Sequence, residues 1–260
     1  MSSPKKIIIL ALSLFLMPLS VFAQGVSNAQ QVRVDALSRF YEANAAYKQS
    51  NYQKAIEGYE KIIRTGTVSG PIYYNMGNSY FKAGELGAAL LNYERAKRFI
   101  PRDSDLEANY QYAQASVKKY EGAPGNTGLN RIYSQYREYF TLDEITILLF
   151  CLLVLMSAVY LAGLFWKWPS RRSVYLLTVL GLFFLLNAAV FQSQWQEYKS
   201  TAIILKDTPA KFEPREEATT HFELSQGLKV NFLNEDDGWV KIRRQDGKIG
   251  WVKKQVVEKI

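Results

Sequence analysis

The sequence predicts a multi-domain chain: an all-α repeat array, a two-helix transmembrane hairpin and a small all-β barrel. Three observations predict it. The N-terminal part matches itself when shifted by 34 residues, two long apolar runs lie in the second half, and short alternating segments with two Gly-Trp strands close the chain. A length of 260 residues leaves room for more than one domain.

The first element is a leader. Lys5 and Lys6 precede an apolar run from Ile7 to Leu16, Pro18 and Ser20 break it, and Val21-Phe22-Ala23 follows. A positive start, a short apolar stretch and small residues before a cut form a secretory signal. Residues 1–23 are read as that signal, with Gln24 first after the cut; an uncleaved anchor is the alternative. No Cys follows the cut, so lipidation is not expected. In both cases the next segment is exported.

The second element is a helical domain over 24–121. Asn44 aligns with Asn78, Tyr47 with Phe81, Lys48 with Lys82, Ala55 with Ala89, Tyr59 with Tyr93 and Glu60 with Glu94. The second unit carries Tyr73, Met76, Gly77, Tyr80, Gly84, Ala89, Tyr93, Ala96 and Pro101. This resembles a tetratricopeptide repeat, whose period is 34 residues. Repeats are placed at about 36–69 and 70–103, with a capping helix at 104–121. Gly77, Ala89 and Ala96 let paired helices approach, while Gly84 and Pro101 end helices. Asp103 or Ser104 caps the last helix, with Asp105 and Glu107 in its first turn.

The inner groove of such arrays binds extended peptides. Asn44 and Asn78 share one position, Asn75 and Asn109 another, and Lys48 and Lys82 lie one turn on. Amides can pair with a peptide backbone and Lys with a carboxylate. This partly resembles the carboxylate clamp of peptide-binding tetratricopeptide domains. It departs where Phe40 replaces a lysine and where the third-repeat basic pair is missing. The other reading has these asparagines capping helices or bonding between repeats.

Glycines, Pro124 and Asn126 open a linker and interfacial segment at 122–144. Within it, Arg131 to Thr141 is Tyr-rich, a mixture suited to the headgroup level of a membrane. The spans are placed at 145–166 and 174–192. The 22 residues from Ile145 to Trp166 make a helix of roughly 33 Å, and the 18 from Val174 to Phe191 roughly 27 Å. The connector, 167–173, holds Lys167, Arg171 and Arg172 and reads as cytoplasmic. Two spans then return the C-terminus outside, so both soluble domains are expected on the periplasmic side of a bacterial inner membrane. Asn187 is expected to make an interhelical hydrogen bond rather than serve a transport site. Cys151, in the first, reads as a structural thiol.

The last element, 199–260, reads as a barrel. Ala202–Leu205, Leu224–Gly227, Lys229–Leu233, Gly238–Ile242 and Ile249–Val252 are short strands, and Asp246-Gly247 is a hairpin signal. GWVKIRRQDGKIGWV resembles bacterial SH3 domains. Trp239, Trp251 and Phe232 either pack in the core or floor a groove. Core is favoured for the tryptophans, since large aromatics supply buried area in small domains.

Composition narrows the chemistry. The net charge of +8 is spread among acids without a basic stripe, which disfavours nucleic acid. One Cys and one His, far apart, disfavour a metal or nucleophile–base site. No catalytic residue and no cofactor is expected.

The order of modules resembles the BatE proteins of bacterial aerotolerance (Bat) operons. That resemblance implies a non-enzymatic scaffold in an oxidative-stress complex, with von Willebrand A-domain membrane proteins as partners. The alternative is an envelope anchor whose barrel binds peptidoglycan. An exposed aromatic groove around Trp239, Trp251 and Phe232 would favour the anchor.

Overall fold

A computed structural model describes residues 19–117, 128–165 and 170–260. The positive start and apolar stretch of the leader, the last residues of the expected capping helix with the opening of the linker (118–127), and the end of the first span with the start of the connector (166–169) lie outside them. The chain divides into two units, Met1–Val68 and Ser69–Ile260.

The first unit is a helical hairpin. Helix α1 (Leu19–Lys48) runs through the expected cut site, and α2 (Tyr52–Arg64) returns along it. Asn51 caps α2 by accepting from the Lys54 amide at 3.3 Å. Gly58 lies against Ala43, where a Cβ would stand 2.8 Å from the alanine methyl. Ala43, Ala46, Ala55, Ile56, Tyr59 and Ile62 are buried.

In the second unit α3 (Gly70–Lys82) and α4 (Leu86–Lys97) repeat that arrangement. Gly77 lets the Tyr93 ring approach, since a Cβ there would meet it at 2.6 Å. Gly84, at φ +82°, ends the first helix of the pair in the left-handed conformation glycine tolerates. Helix α5 (Ser104–Ala115) is capped by Asp103, which accepts from the Leu106 amide at 2.8 Å. Ala89, Leu90, Tyr93, Ala96, Leu106, Tyr110 and Ala113 form the core between these three helices.

Residues expected to be linker include a helix, α6 (Leu129–Tyr139). It precedes two helices long and apolar enough to cross a membrane, α7 (Leu142–Phe165) and α8 (Ser170–Ser200). These pair antiparallel, with Gly163 against Ser173 and Gly181 against Met156. Cys151 lies on the outward surface of α7. Asn187 makes the interhelical bond expected of it, to α6. It is buried, and its Oδ1 accepts from Tyr136 of α6 at 2.8 Å. Helix α8 is also longer than its apolar run. Its 31 residues extend about 46 Å and end where the first strand begins.

Seven strands follow: β1 (Thr201–Ile204), β2 (Thr208–Lys211), β3 (Thr220–Leu224), β4 (Lys229–Asp236), β5 (Trp239–Arg243), β6 (Ile249–Lys253) and β7 (Val257–Lys259). They form one antiparallel sheet in the order β3-β2-β6-β5-β4-β1-β7. Ile204, Ala210, Phe222, Leu224, Val230, Val240, Ile242 and Val252 fill its core. Gly247, at φ +90°, closes the β5–β6 turn. Asp246 locks it by a two-point pair with Arg244, at 3.0 and 2.6 Å. That pairing holds the Asp246 carboxyl down at about 2.

The barrel sits on α4. Lys229 of β4 meets Glu94 at 2.9 Å, Arg95 meets Glu258 at 2.6 Å, and Leu228 packs against both cores. Gly87 admits the strand end: a Cβ there would collide with the Leu205 carbonyl and stand 2.7 Å from that of Ile204. The helical body also grips the membrane-type helices. Arg102 forms a two-point pair with Glu144 at the start of α7, and Arg98 lies 3.6 Å over the Tyr198 ring near the end of α8. Helices α3–α5 and the barrel therefore gather at one end of the α7–α8 pair.

Candidate functional site

Strand alternation decides where the tryptophans go. In β5, Val240 and Ile242 point into the core, so Trp239 and Lys241 point out; in β6, Val252 points in and Trp251 and Lys253 point out. This corrects the core expectation for Trp239 and Trp251. Both are half-buried on the outer face, because Val240, Ile242 and Val252 already occupy the inner one. Phe232 is separate from them. It packs partly against the core, under the Lys259 ammonium at 3.8 Å.

Register brings aromatic and cationic side chains together. Trp239 pairs with Lys253 and Lys241 with Trp251 across β5–β6, and Lys211 of β2 pairs with Trp251. The Lys211 ammonium lies 5.8 Å from the Trp239 ring, and that of Lys241 lies 5.6 Å from Trp251. Beside Trp239 opens a shallow cleft of about 560 Å³, lined by Glu216, Gly238, Trp239, Lys253, Lys254 and Gln255. Gly238 forms its edge in a turn at φ +77°, and its carbonyl accepts from the Lys254 amide at 2.8 Å.

Ion pairs frame the cleft. Lys253 meets Glu216 and Lys254 meets Glu235, each at 2.5 Å. The Lys253 ammonium holds the Glu216 carboxyl below its ordinary range. An indole platform rimmed by lysines and carboxylates suits an extended polar chain that stacks one face on the ring and hydrogen-bonds along its edges. His221 lies elsewhere, stacked on Phe212 at 4.1 Å with Nδ1 3.1 Å from the Ile249 carbonyl.

Residues 213–258 match the bacterial SH3 domain family. The barrel's C-terminal part is a bacterial SH3 domain. The match covers β3 to β7 save the final residue, and β1 and β2 complete the sheet ahead of it. Compared with curated proteins, the chain has no match.

The helical candidates are placed differently. In the first unit, Asn44 Oδ1 accepts from the Tyr59 hydroxyl at 2.6 Å, and Lys48 is exposed at the end of α1. In the second unit, Asn78 Oδ1 accepts from the Tyr93 hydroxyl at 2.7 Å and from Asn109 Nδ2 at 3.1 Å. Asn109 also donates to the Tyr74 hydroxyl at 2.8 Å. Asn75 is half-buried, with its carbonyl accepting from Ser79 at 2.9 Å, and Lys82 is exposed. Asn78 and Asn109 thus meet in one polar chain with Tyr74 and Tyr93. Near them, Tyr112 is 70 % exposed and edge-on to Phe81.

Sequence reasoning named Trp239 and Trp251 but passed over Lys211, Lys241, Lys253 and Glu216. The signal was available. In WVKIR and WVKK, apolar Val and Ile alternate with Trp and Lys, which assigns each set to its own face.

Proposed function

We propose that this protein is a non-catalytic, membrane-anchored binding protein of the bacterial cell envelope, whose SH3 face holds a peptidoglycan strand outside the cytoplasmic membrane. The outward Trp239–Trp251 pair, rimmed by Lys211, Lys241 and Lys253, carries this reading. Indole faces stack on sugar rings or peptide planes, and the lysines meet the carboxylates of wall peptides. Helices α7 and α8 supply the anchor, and the gathering of α3–α5 and the barrel at one end of that pair fits a common compartment.

A second reading is favoured by the helical hairpins. Their shared Tyr-to-Asn bond, 34 residues apart, supports a tetratricopeptide array. With exposed Tyr112 and Lys82 beside it, the array would hold a partner protein, as the Bat-type resemblance implies. The two contacts would then act together through effective concentration.

The test is purification of tagged full-length protein from cross-linked membranes. Wall fragments that co-purify with wild type and are lost in Trp239→Ala/Trp251→Ala support the anchor. A von Willebrand A-domain protein lost in Asn75→Ala/Lys82→Ala, with no wall fragments recovered in wild type, supports the scaffold in its place.

A further inference from the structure

Helix α6 is joined to α8 by side chains that fix its height. Tyr136 reaches Asn187, Arg137 pairs with Glu197, and Gln194 donates to the carbonyls of Arg137 and Phe140. Asn187 and Glu197 are about 15 Å apart along α8. Tyr136 and Arg137 are neighbours reaching in opposite directions, so α6 crosses α8 near Val190–Gln194. The apolar run of α8 ends there, at Phe191.

The faces of α6 follow from the same bonds. The Tyr136 side points toward Asn187, inside the apolar run. Ile132 lies one turn before it on that face, at i−4, and is 64 % exposed, while Tyr139, at i+3, has the Arg102 guanidinium 5.2 Å from its ring. Arg137 points the other way, and exposed Arg131 and Glu138 lie away from the Ile132 face. Above the crossing, Phe191, Trp195 and Tyr198 stack along α8, with ring centroids 6.3 and 6.1 Å apart.

We propose that α6 lies in the plane of the membrane surface, with Ile132 sunk into the lipid layer of the leaflet on the SH3 side and Tyr139 at headgroup level beneath Arg102. The partner of this face is phospholipid, at the boundary between headgroups and acyl chains, where amphipathic helices and aromatic rings reside. The observation that commits the face to lipid is its continuity with the spans: α6 crosses α8 at the end of the apolar run, and Phe140 and Thr141 are the whole connection to α7. The helix thereby seats the body gripped by Arg98 and Arg102 on the membrane.

This rests on α7 and α8 crossing a membrane, and the test separates the two claims. Full-length protein in phosphatidylcholine–phosphatidylglycerol vesicles is labelled with a thiol-reactive fluorophore. Native Cys151 marks span depth; Ile132→Cys and Glu138→Cys, each with Cys151→Ser, mark the two sides of α6. Lipids spin-labelled near the headgroup should quench the label at 132 several-fold more than at 138, with aqueous iodide giving the reverse order. If the Cys151 label is shielded from iodide but positions 132 and 138 are equally open to it, the spans stand and the surface helix is overturned. If iodide reaches Cys151, both claims fall.

Discussion

Lys229 of the SH3 barrel lies 2.9 Å from Glu94 of α4, and the Tyr110 hydroxyl donates to the same Glu94 oxygen at 2.5 Å. Two neighbouring helices and a strand far along the chain converge on one carboxylate whose side chain is 12 % exposed. A second pair, Lys97 with Glu107 at 2.9 Å, joins α4 to α5 beside it. This cluster makes the barrel and the helices one body.

Glu94→Gln should lower stability by about 2 kcal/mol, the scale of a charge-assisted hydrogen bond. Burial pushes the Glu94 carboxyl up, but Lys229, the Tyr110 hydroxyl and Lys97 outweigh it, leaving it below 4.5. A depressed carboxylate contributes stability that is complete above its unfolded value and lost as pH falls through the folded one. Burial lowers Lys229, Glu94 raises it further, and the net is above 10.5. Its contribution is complete below 10.5 and lost as pH climbs beyond. Thermal melts of wild type should lose an increment below pH 4.5 that Glu94→Gln lacks.

Gly87→Ala should unseat the barrel. Its Cβ would meet the backbone carbonyls of Ile204 and Leu205, which cannot rotate away. Overpacking of this kind costs about 1–3 kcal/mol. Hydrogen exchange at β1 should accelerate. Exchange at the β5–β6 hairpin, held by Arg244 and Asp246, should change little.

Asn78→Ala leaves the hydroxyl of fully buried Tyr93 without this acceptor, at a cost of about 1–3 kcal/mol. Tyr93→Phe in that background should recover part of the loss, because it removes the hydroxyl that lost this acceptor. A double-mutant cycle on melting curves measures the coupling. Additive losses would mean that Asn78 and Tyr93 do not act as a pair.

Much of the fold was legible in the sequence. The N-terminal part read as helical, Asp103 proved the cap of α5, and Asp246-Gly247 marked the β5–β6 turn. These signals are local, or repeat locally. The barrel's seat on α4 had no local signal, because Glu94–Lys229 joins residues far apart in the chain and Gly87 reads as an ordinary helix residue. Strands β2 and β7 were missed, one carrying Pro209 and the other having three residues, and the strand expected at Leu224–Gly227 lies earlier, at Thr220–Leu224, with Gln226 and Gly227 in the turn that follows. Residues 131–141 read as a Tyr-rich interfacial segment, but that helix α6 forms there had no local signal, because its partner, α8, lies beyond the first span. The candidate site was half legible. Trp239 and Trp251 were named, but the appeal of large aromatics as core outweighed the alternation that turns them outward.

The binding face is tested most directly by co-sedimentation of detergent-solubilised full-length protein with purified peptidoglycan sacculi. Wild type should sediment with the sacculi, and Trp239→Ala/Trp251→Ala should bind at least about tenfold more weakly, a loss of about 1.4 kcal/mol. The variant should melt close to wild type, since both side chains lie outside the barrel core. Sedimentation of the double variant equal to wild type, or no sedimentation of wild type, would contradict the assignment of this face to the cell wall.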